Sequence, residues 1–230
     1  MTKISYTIEN NRAEIIVDDG KANAMDFDYF EEMNKALAAI ESSGSKAVII
    51  KGRQGFFSGG LDVKLIATLA PNDIDRLAET FARTMLRVFS YPIPTIAVCT
   101  GHAIAGGAML AFACDRRDVV NGNYRIQVNE HAIGIPLPSW MLLIGKSAIP
   151  VGFQAEVLLH AKAYTPKEAY DAHIFHGLIE EGADIDASLN IEVDALMGLH
   201  TNAYSITKRR LREKEVKEVL ALLKDELPSK

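Results

Sequence analysis

Cysteine is scarce in this chain: two in 230 residues, Cys99 and Cys114, both inside apolar runs. A disulfide framework is therefore not expected, and a reducing compartment suits the chain better. Basic excess is also missing. The formal net charge is −5, whereas nucleic-acid binders carry a basic face that neutralises phosphates, so no nucleic-acid partner is expected. No apolar run approaches membrane-spanning length, and the first ten residues, "MTKISYTIEN", have none of the apolar core of a secretory leader. The expectation is a cytoplasmic protein with no membrane partner. Several catalytic signatures are absent too. There is no G-x-S-x-G elbow for a serine nucleophile. Gly145-Lys146-Ser147 resembles the end of a phosphate loop, but Trp140 stands where the leading glycine belongs. His173 and His176 lie one turn apart on a predicted helix without an acidic or cysteine partner at ligand spacing. They read as surface histidines, and no metal is expected.

What the chain has is apolar residue, 48% of the total, enough to bury a full core as one domain or as one domain with a helical appendage. The first third reads as α/β. "ISYTIEN" and "AEIIVDD" alternate as two antiparallel strands around the turn residues Asn10 and Asn11. A helix is predicted from about Asp26 to Glu41, with Phe27, Phe30, Met33, Leu37 and Ile40 at helical spacing. "KAVIIKG" and "PTIAVCT" are short buried strands, and the periodic stretch "DIDRLAETFARTMLRVFS" lies between them. Strand, helix and strand in that order imply parallel strands joined by right-handed crossovers. From about Pro150 onward the pattern reads as helices only: "FQAEVLLHA", "TPKEAYDA" capped by Thr165, "ASLNIEVDALMGLHTNAYSITKRRL" and "KEVKEVLALLKDEL". Amphipathic helices with little core of their own pack on the body or on another subunit.

Two glycine-rich junctions stand out, "GFFSGGLDVK" and "GHAIAGGAML". Each follows a predicted parallel strand and precedes a helix, where free amides point outward and ligands bind in open α/β sheets. The pair Gly106-Gly107 admits two readings: close packing of a helix on a neighbouring strand, or close approach of backbone to something bound. Two such junctions are able to aim two amides at one developing negative charge, which is what an oxyanion hole requires. Downstream, Glu130 sits in "QVNEHAIGIPLPSW" between Asn129 and His131. It is either a solvated loop glutamate or a carboxylate kept dry enough to act as a base near neutral pH.

"KANAMDFDYFEEM", "FFSGGLDVK", "GHAIAGGAML" with the following "ACD", and "NEHAIGIPLP" occur in an order and spacing that resemble the crotonase superfamily, the enoyl-CoA hydratases and isomerases. The resemblance implies a ClpP/crotonase-like α/β fold of repeated ββα units. It would divide the chain into a core over residues 1–185 and a C-terminal helical oligomerisation region over 186–230, assembled as a homotrimer or hexamer. The substrate would be an acyl-CoA thioester, with coenzyme A entering as part of the substrate and no separate cofactor. By motif position the oxyanion donors would be the amides of Leu61 and Gly106. The CoA moiety would pass Ala22 and Ala24 and run along Ser58, Gly60, Asp62, Val63 and Lys64, with Gly107 beside the second donor. Hydratases of this family use two glutamates to activate water. Here the first position is Met109, a thioether unable to transfer a proton, and the second is Glu130. One carboxylate suits proton removal from one carbon and return to another. Gly60-Leu61-Asp62, Ala105-Gly106-Gly107, Asn129-Glu130 and Pro138-Ser139-Trp140 are similar to the motifs of Δ3,Δ2-enoyl-CoA isomerases, in which Met109 and Trp140 would line the acyl pocket. The alternatives are hydration or other enolate chemistry on the same site, and a catalytically silent acyl-CoA binder.

Overall fold

In the computed structural model, which describes residues 2–229, the chain opens with the expected hairpin. Strands β1 (Ile4–Glu9) and β2 (Arg12–Val17) pair antiparallel, and Asn10 and Asn11 turn between them with φ of 50° and 63°. Asparagine tolerates that left-handed region, which a two-residue hairpin of this twist needs. Helix α1 (Phe27–Ser42) begins at Asp26, whose side chain accepts a hydrogen bond from the Tyr29 amide. Its stripe of Phe30, Met33, Leu37 and Ile40 faces the core.

Thereafter strands come in pairs, each followed by helix. Strands β3 (Ala47–Gly52) and β4 (Gly55–Ser58) lead to α2 (Val63–Ile66) and α3 (Pro71–Phe89). Strands β5 (Thr95–Cys99) and β6 (Gly101–Ile104) lead to α4 (Gly106–Ala113). Strands β7 (Arg116–Val120) and β8 (Ile126–Gln127) lead to α5 (Ser139–Ala148). Two short helices, α6 (Gln154–Leu158) and α7 (Pro166–Asp171), precede β9 (Gly177–Ile179), and the chain closes with α8 (Ile185–Met197) and α9 (Thr201–Leu222). The first strand of each pair joins a six-stranded sheet of order β1-β2-β3-β5-β7-β9, parallel from β2 onward. The second joins a three-stranded parallel sheet, β4-β6-β8. The repeated ββα architecture is thus present.

The six-stranded sheet is covered on both faces, which explains why β3 and β5 are continuous apolar runs. Val48, Ile50, Ala97 and Cys99 face the main core, while Ala47, Ile49, Ile96 and Val98 face Leu189 and Val193 of α8. Burying each of those last two side chains contributes roughly 1.5–3 kcal/mol, an upper estimate because the unfolded chain also hides apolar surface. Helix α9 is tied down differently. Asp115 accepts hydrogen bonds from the Thr95 amide (2.9 Å) and from Lys208 Nζ (2.6 Å), and pairs with Arg212 at 3.0 Å. Lys208 is 5% exposed, and burial pushes its ammonium below the ordinary range, with Asp115 opposing the shift.

Two features depart from the sequence reading. The region after Pro150 is not helical throughout, because β9 adds to β7 at the sheet edge through Asp118 opposite Gly177 and Val120 opposite Ile179. Three residues are too few for an alternation pattern to register. The helical break also falls earlier than the two charged segments suggested, at residues 198–200. Gly198 caps α8, and the His200 ring accepts from the Ala203 amide to start α9. Among the described residues no helix is long and apolar enough to cross a membrane.

Candidate active site

The three strands of the small sheet end side by side, and each end carries one component of the predicted site. β4 runs into Gly60 and Leu61, β6 into Gly106, and β8 into Glu130. Ser58 pairs with Ala103, and Ile104 with Gln127, while the Ala105 amide donates to the Gln127 carbonyl at 2.8 Å. Segments 45 (Leu61 to Gly106) and 24 (Gly106 to Glu130) residues apart in sequence are brought together by this small sheet, at the C-terminal strand ends where backbone amides are free to meet a ligand.

Leu61 forms an isolated parallel bridge with Met25. The bridge uses the Gly60 carbonyl, which accepts from the Met25 amide, and the Asp62 amide, which donates to the Met25 carbonyl, both at 2.9 Å. That pattern turns the Leu61 amide to the opposite side of the backbone. Gly106 is the first residue of α4, where an amide has no acceptor within its own helix. Neither amide has an acceptor among the described residues. Glycine is needed at both donor segments because they touch. A Cβ on Gly60 (φ +84°) would lie 2.9 Å from the Gly106 nitrogen, and one on Gly106 would lie 3.3 Å from the Gly60 Cα. Gly107 has a separate role: its Cβ would lie 2.1 Å from the Ser58 carbonyl oxygen, so α4 seats directly on the end of β4. The packing reading of the glycine pair holds for both residues, Gly107 against Ser58 and Gly106 against Phe81 and Gly60.

Glu130 begins a single 3-10 turn, residues 130–133, straight after β8. It is 8% exposed, and its Oε2 and the Oδ1 of Asn129 are buried without a hydrogen-bond partner. Burial pushes the carboxyl up to about 7, while the backbone amides of Glu130 and Asn129 pull the other way. The carboxyl is therefore buried rather than solvated. Beside the donors, Phe81 stands with its ring edge 2.9 Å from where a Gly106 Cβ would be. It stacks on Phe30 with centroids 5.6 Å apart and meets Trp140 edge-on at 4.9 Å.

The remaining predicted residues divide by exposure. Val63 is 67% exposed and Lys64 is exposed. Ala22 and Ala24 are half-buried on the loop before α1, the Ala22 carbonyl accepting from the Gly59 amide at 2.8 Å. Asp62 accepts from the amides of Lys64 and Leu65 and caps α2. Ser58 ties the start of the donor loop to the segment before α1. It is fully buried, donates to the Asn23 carbonyl at 2.7 Å, and accepts from the Gly60 amide at 3.1 Å. Met109 is likewise fully buried in the core, and Trp140 is 3% exposed. Sequence reasoning missed Asn23, whose side chain ties the ends of β2 and β4 together by donating to the carbonyls of Val17 and Phe57 at 2.8 and 3.1 Å. It also missed Phe81, whose helical spacing marked it as core and gave no sign of its place over Gly106.

A family model described as enoyl-CoA hydratase/isomerase matches residues 7–210. A probable enoyl-CoA hydratase of Bacillus subtilis is 29% identical over 205 residues, covering 85% of this chain and 75% of that protein. Among solved structures, an apo enoyl-CoA isomerase described as from Mtb superposes with a TM-score of 0.89 at 28% identity, over 98% of this chain and 97% of that one. The human mitochondrial delta3-delta2-enoyl-CoA isomerase gives a TM-score of 0.89 at 19% identity, over 97% and 88% of the two chains, a likeness of fold alone.

Proposed function

The chain belongs to the enoyl-CoA hydratase/isomerase family, and from that premise we propose that it shifts the double bond of a 3-enoyl-CoA to the 2-position. The observation that carries the reading is Glu130: a buried carboxyl with an unpartnered oxygen, pushed up to about 7, at the strand end next to the two free amides. In this reading the thioester carbonyl oxygen sits between the Leu61 and Gly106 amides. The Glu130 carboxylate takes a proton from C2, the C–H electrons pass into the thioester as a dienolate, and the two amides stabilise its oxygen. Each such donor is worth about 3 kcal/mol of transition-state stabilisation. The protonated Glu130 then delivers the proton to C4, the carbonyl re-forms, and the double bond lies between C2 and C3. No water is consumed. Met109 supports this choice, since a buried thioether supplies no second acid or base. The CoA moiety is assigned to the rim formed by half-buried Ala22 and Ala24 and exposed Val63 and Lys64, and the assembly to a homotrimer or hexamer.

Hydration is the second reading, favoured by the unpartnered Asn129 Oδ1, which with Glu130 Oε2 offers two acceptors to one water. Replacing Glu130→Gln separates either chemistry from mere binding. Isomerisation of 3-hexenoyl-CoA is expected to fall by at least ~1000-fold while the CoA ester still binds within about threefold, because the amide keeps shape and loses the base. Retained turnover in the variant refutes the assignment.

A further inference from the structure

The residue before the second donor, Ala105, has φ 52° and ψ −120°, a conformation that glycine adopts freely and alanine does not. It is held there from both sides. Its amide donates to the Gln127 carbonyl of β8 at 2.8 Å, and its carbonyl accepts from the Met109 amide at 3.0 Å, closing the first turn of α4. Glycine would relieve the strain at this position, and two glycines follow directly. What alanine adds is one methyl. That methyl lies against the other donor segment: a Cβ built on Gly60 would be 3.0 Å from the Ala105 Cβ, with the Gly106 nitrogen beside it at 2.9 Å. The Ala105 methyl and the Gly106 nitrogen therefore lie together against the face of Gly60 that a side chain would occupy.

From this geometry we infer that Ala105 is a positioning residue. Its strained backbone is kept because the methyl fixes the spacing between the loop that carries the Leu61 amide and the turn that carries the Gly106 amide. The inference rests on the proposal that these two amides hold the thioester oxygen. A gap left under Gly60 lets residues 59–61 settle toward α4, and the two donors then no longer converge on one oxygen. Misplacement of this kind acts on the transition state more than on ground-state binding, because most of the CoA ester's contact surface lies elsewhere.

The test compares the wild-type protein with Ala105→Gly and Ala105→Ser in three measurements: thermal unfolding, kinetics on 3-hexenoyl-CoA, and the absorbance of bound 2,4-hexadienoyl-CoA. A conjugated thioester absorbs at longer wavelength when two donors polarise its carbonyl, so its red shift reads donor geometry without turnover. Ala105→Gly is expected to melt no lower than wild type, with a rise of up to about 4 °C, and to lose about tenfold or more in kcat with KM within about twofold. Its red shift is expected to shrink, and Ala105→Ser, which restores a Cβ, to recover it. A glycine variant with wild-type kcat and full red shift overturns the positioning role. A wild-type protein that gives the red shift but no isomerisation overturns the proposed reaction and leaves the spectral comparison to decide the role of Ala105. Absence of any red shift in the wild type overturns both the oxyanion assignment and this inference.

Discussion

Substituting Gly107→Ala tests whether the seat of α4 on β4 governs the donor geometry. The added Cβ would stand 2.1 Å from the Ser58 carbonyl oxygen and 2.8 Å from its carbon, whereas ordinary contact begins near 3.4 Å. Both neighbours are backbone, so no side chain is able to rotate away. Helix α4 and the end of β4 must separate by about 1 Å, and a misplacement of that size at a reacting centre costs on the order of 100-fold in rate. The separation is transmitted directly, because Gly106 adjoins the substituted residue and Gly60 follows Ser58 by two positions. Overpacking of this kind also costs about 1–3 kcal/mol of stability. Urea unfolding gives the second quantity and kcat on 3-hexenoyl-CoA the first. Gly152→Ala is the control, since that glycine is exposed, has an ordinary φ, and has nothing within 4 Å of its would-be Cβ. A Gly107→Ala protein with kcat within threefold of wild type and an unchanged midpoint refutes the reasoning.

Glu130 makes a prediction about pH. As a base it must be ionised, so kcat/KM is expected to rise through a pH of about 7 and to fall away below it. Stability has the opposite sign. The folded-state value lies above the unfolded 4.5, so the native state holds more protons between those values, and its stability falls as pH rises through that window. Above it, Glu130→Gln is expected to be more stable than wild type by at most about 3 kcal/mol, and near pH 4 to be equal; denaturant titration at the two pH values checks this. In the anchor of α9, Asp115→Ala leaves Lys208 buried without its carboxylate and is expected to lose about 3–5 kcal/mol. A loss below 1 kcal/mol in urea unfolding would show that α9 is held by packing alone.

Some of this structure was legible in the residues and some was not, for separable reasons. The hairpin was marked by Asn10-Asn11 and α1 by its apolar spacing, both local signals that tertiary packing did not override. The small sheet that assembles the site was not visible, since β8 has two residues and β4 and β6 have four each. Strands that short carry no periodicity, and only their partners define them. Leu61 and Gly106 are expected as donors from motif resemblance alone, and the bridge to Met25 supplies a physical reason that the Leu61 amide is left without a backbone partner. The hydrogen bond of Ser58 to the Asn23 carbonyl is not legible, because nothing in a sequence says which acceptor a hydroxyl will meet. The strain at Ala105 left no trace either, because a positive φ is signalled by glycine or asparagine, and alanine conceals it.

The most direct measurement is to incubate the protein separately with 3-hexenoyl-CoA and with 2-hexenoyl-CoA, following conjugated thioester absorbance and product mass. A single carboxylate moving one proton predicts that the first substrate gains conjugation at constant mass and that the second gains nothing. Addition of the mass of water to 2-hexenoyl-CoA at a comparable rate contradicts that account, and would mean that Glu130 activates water with a partner other than the residue at position 109.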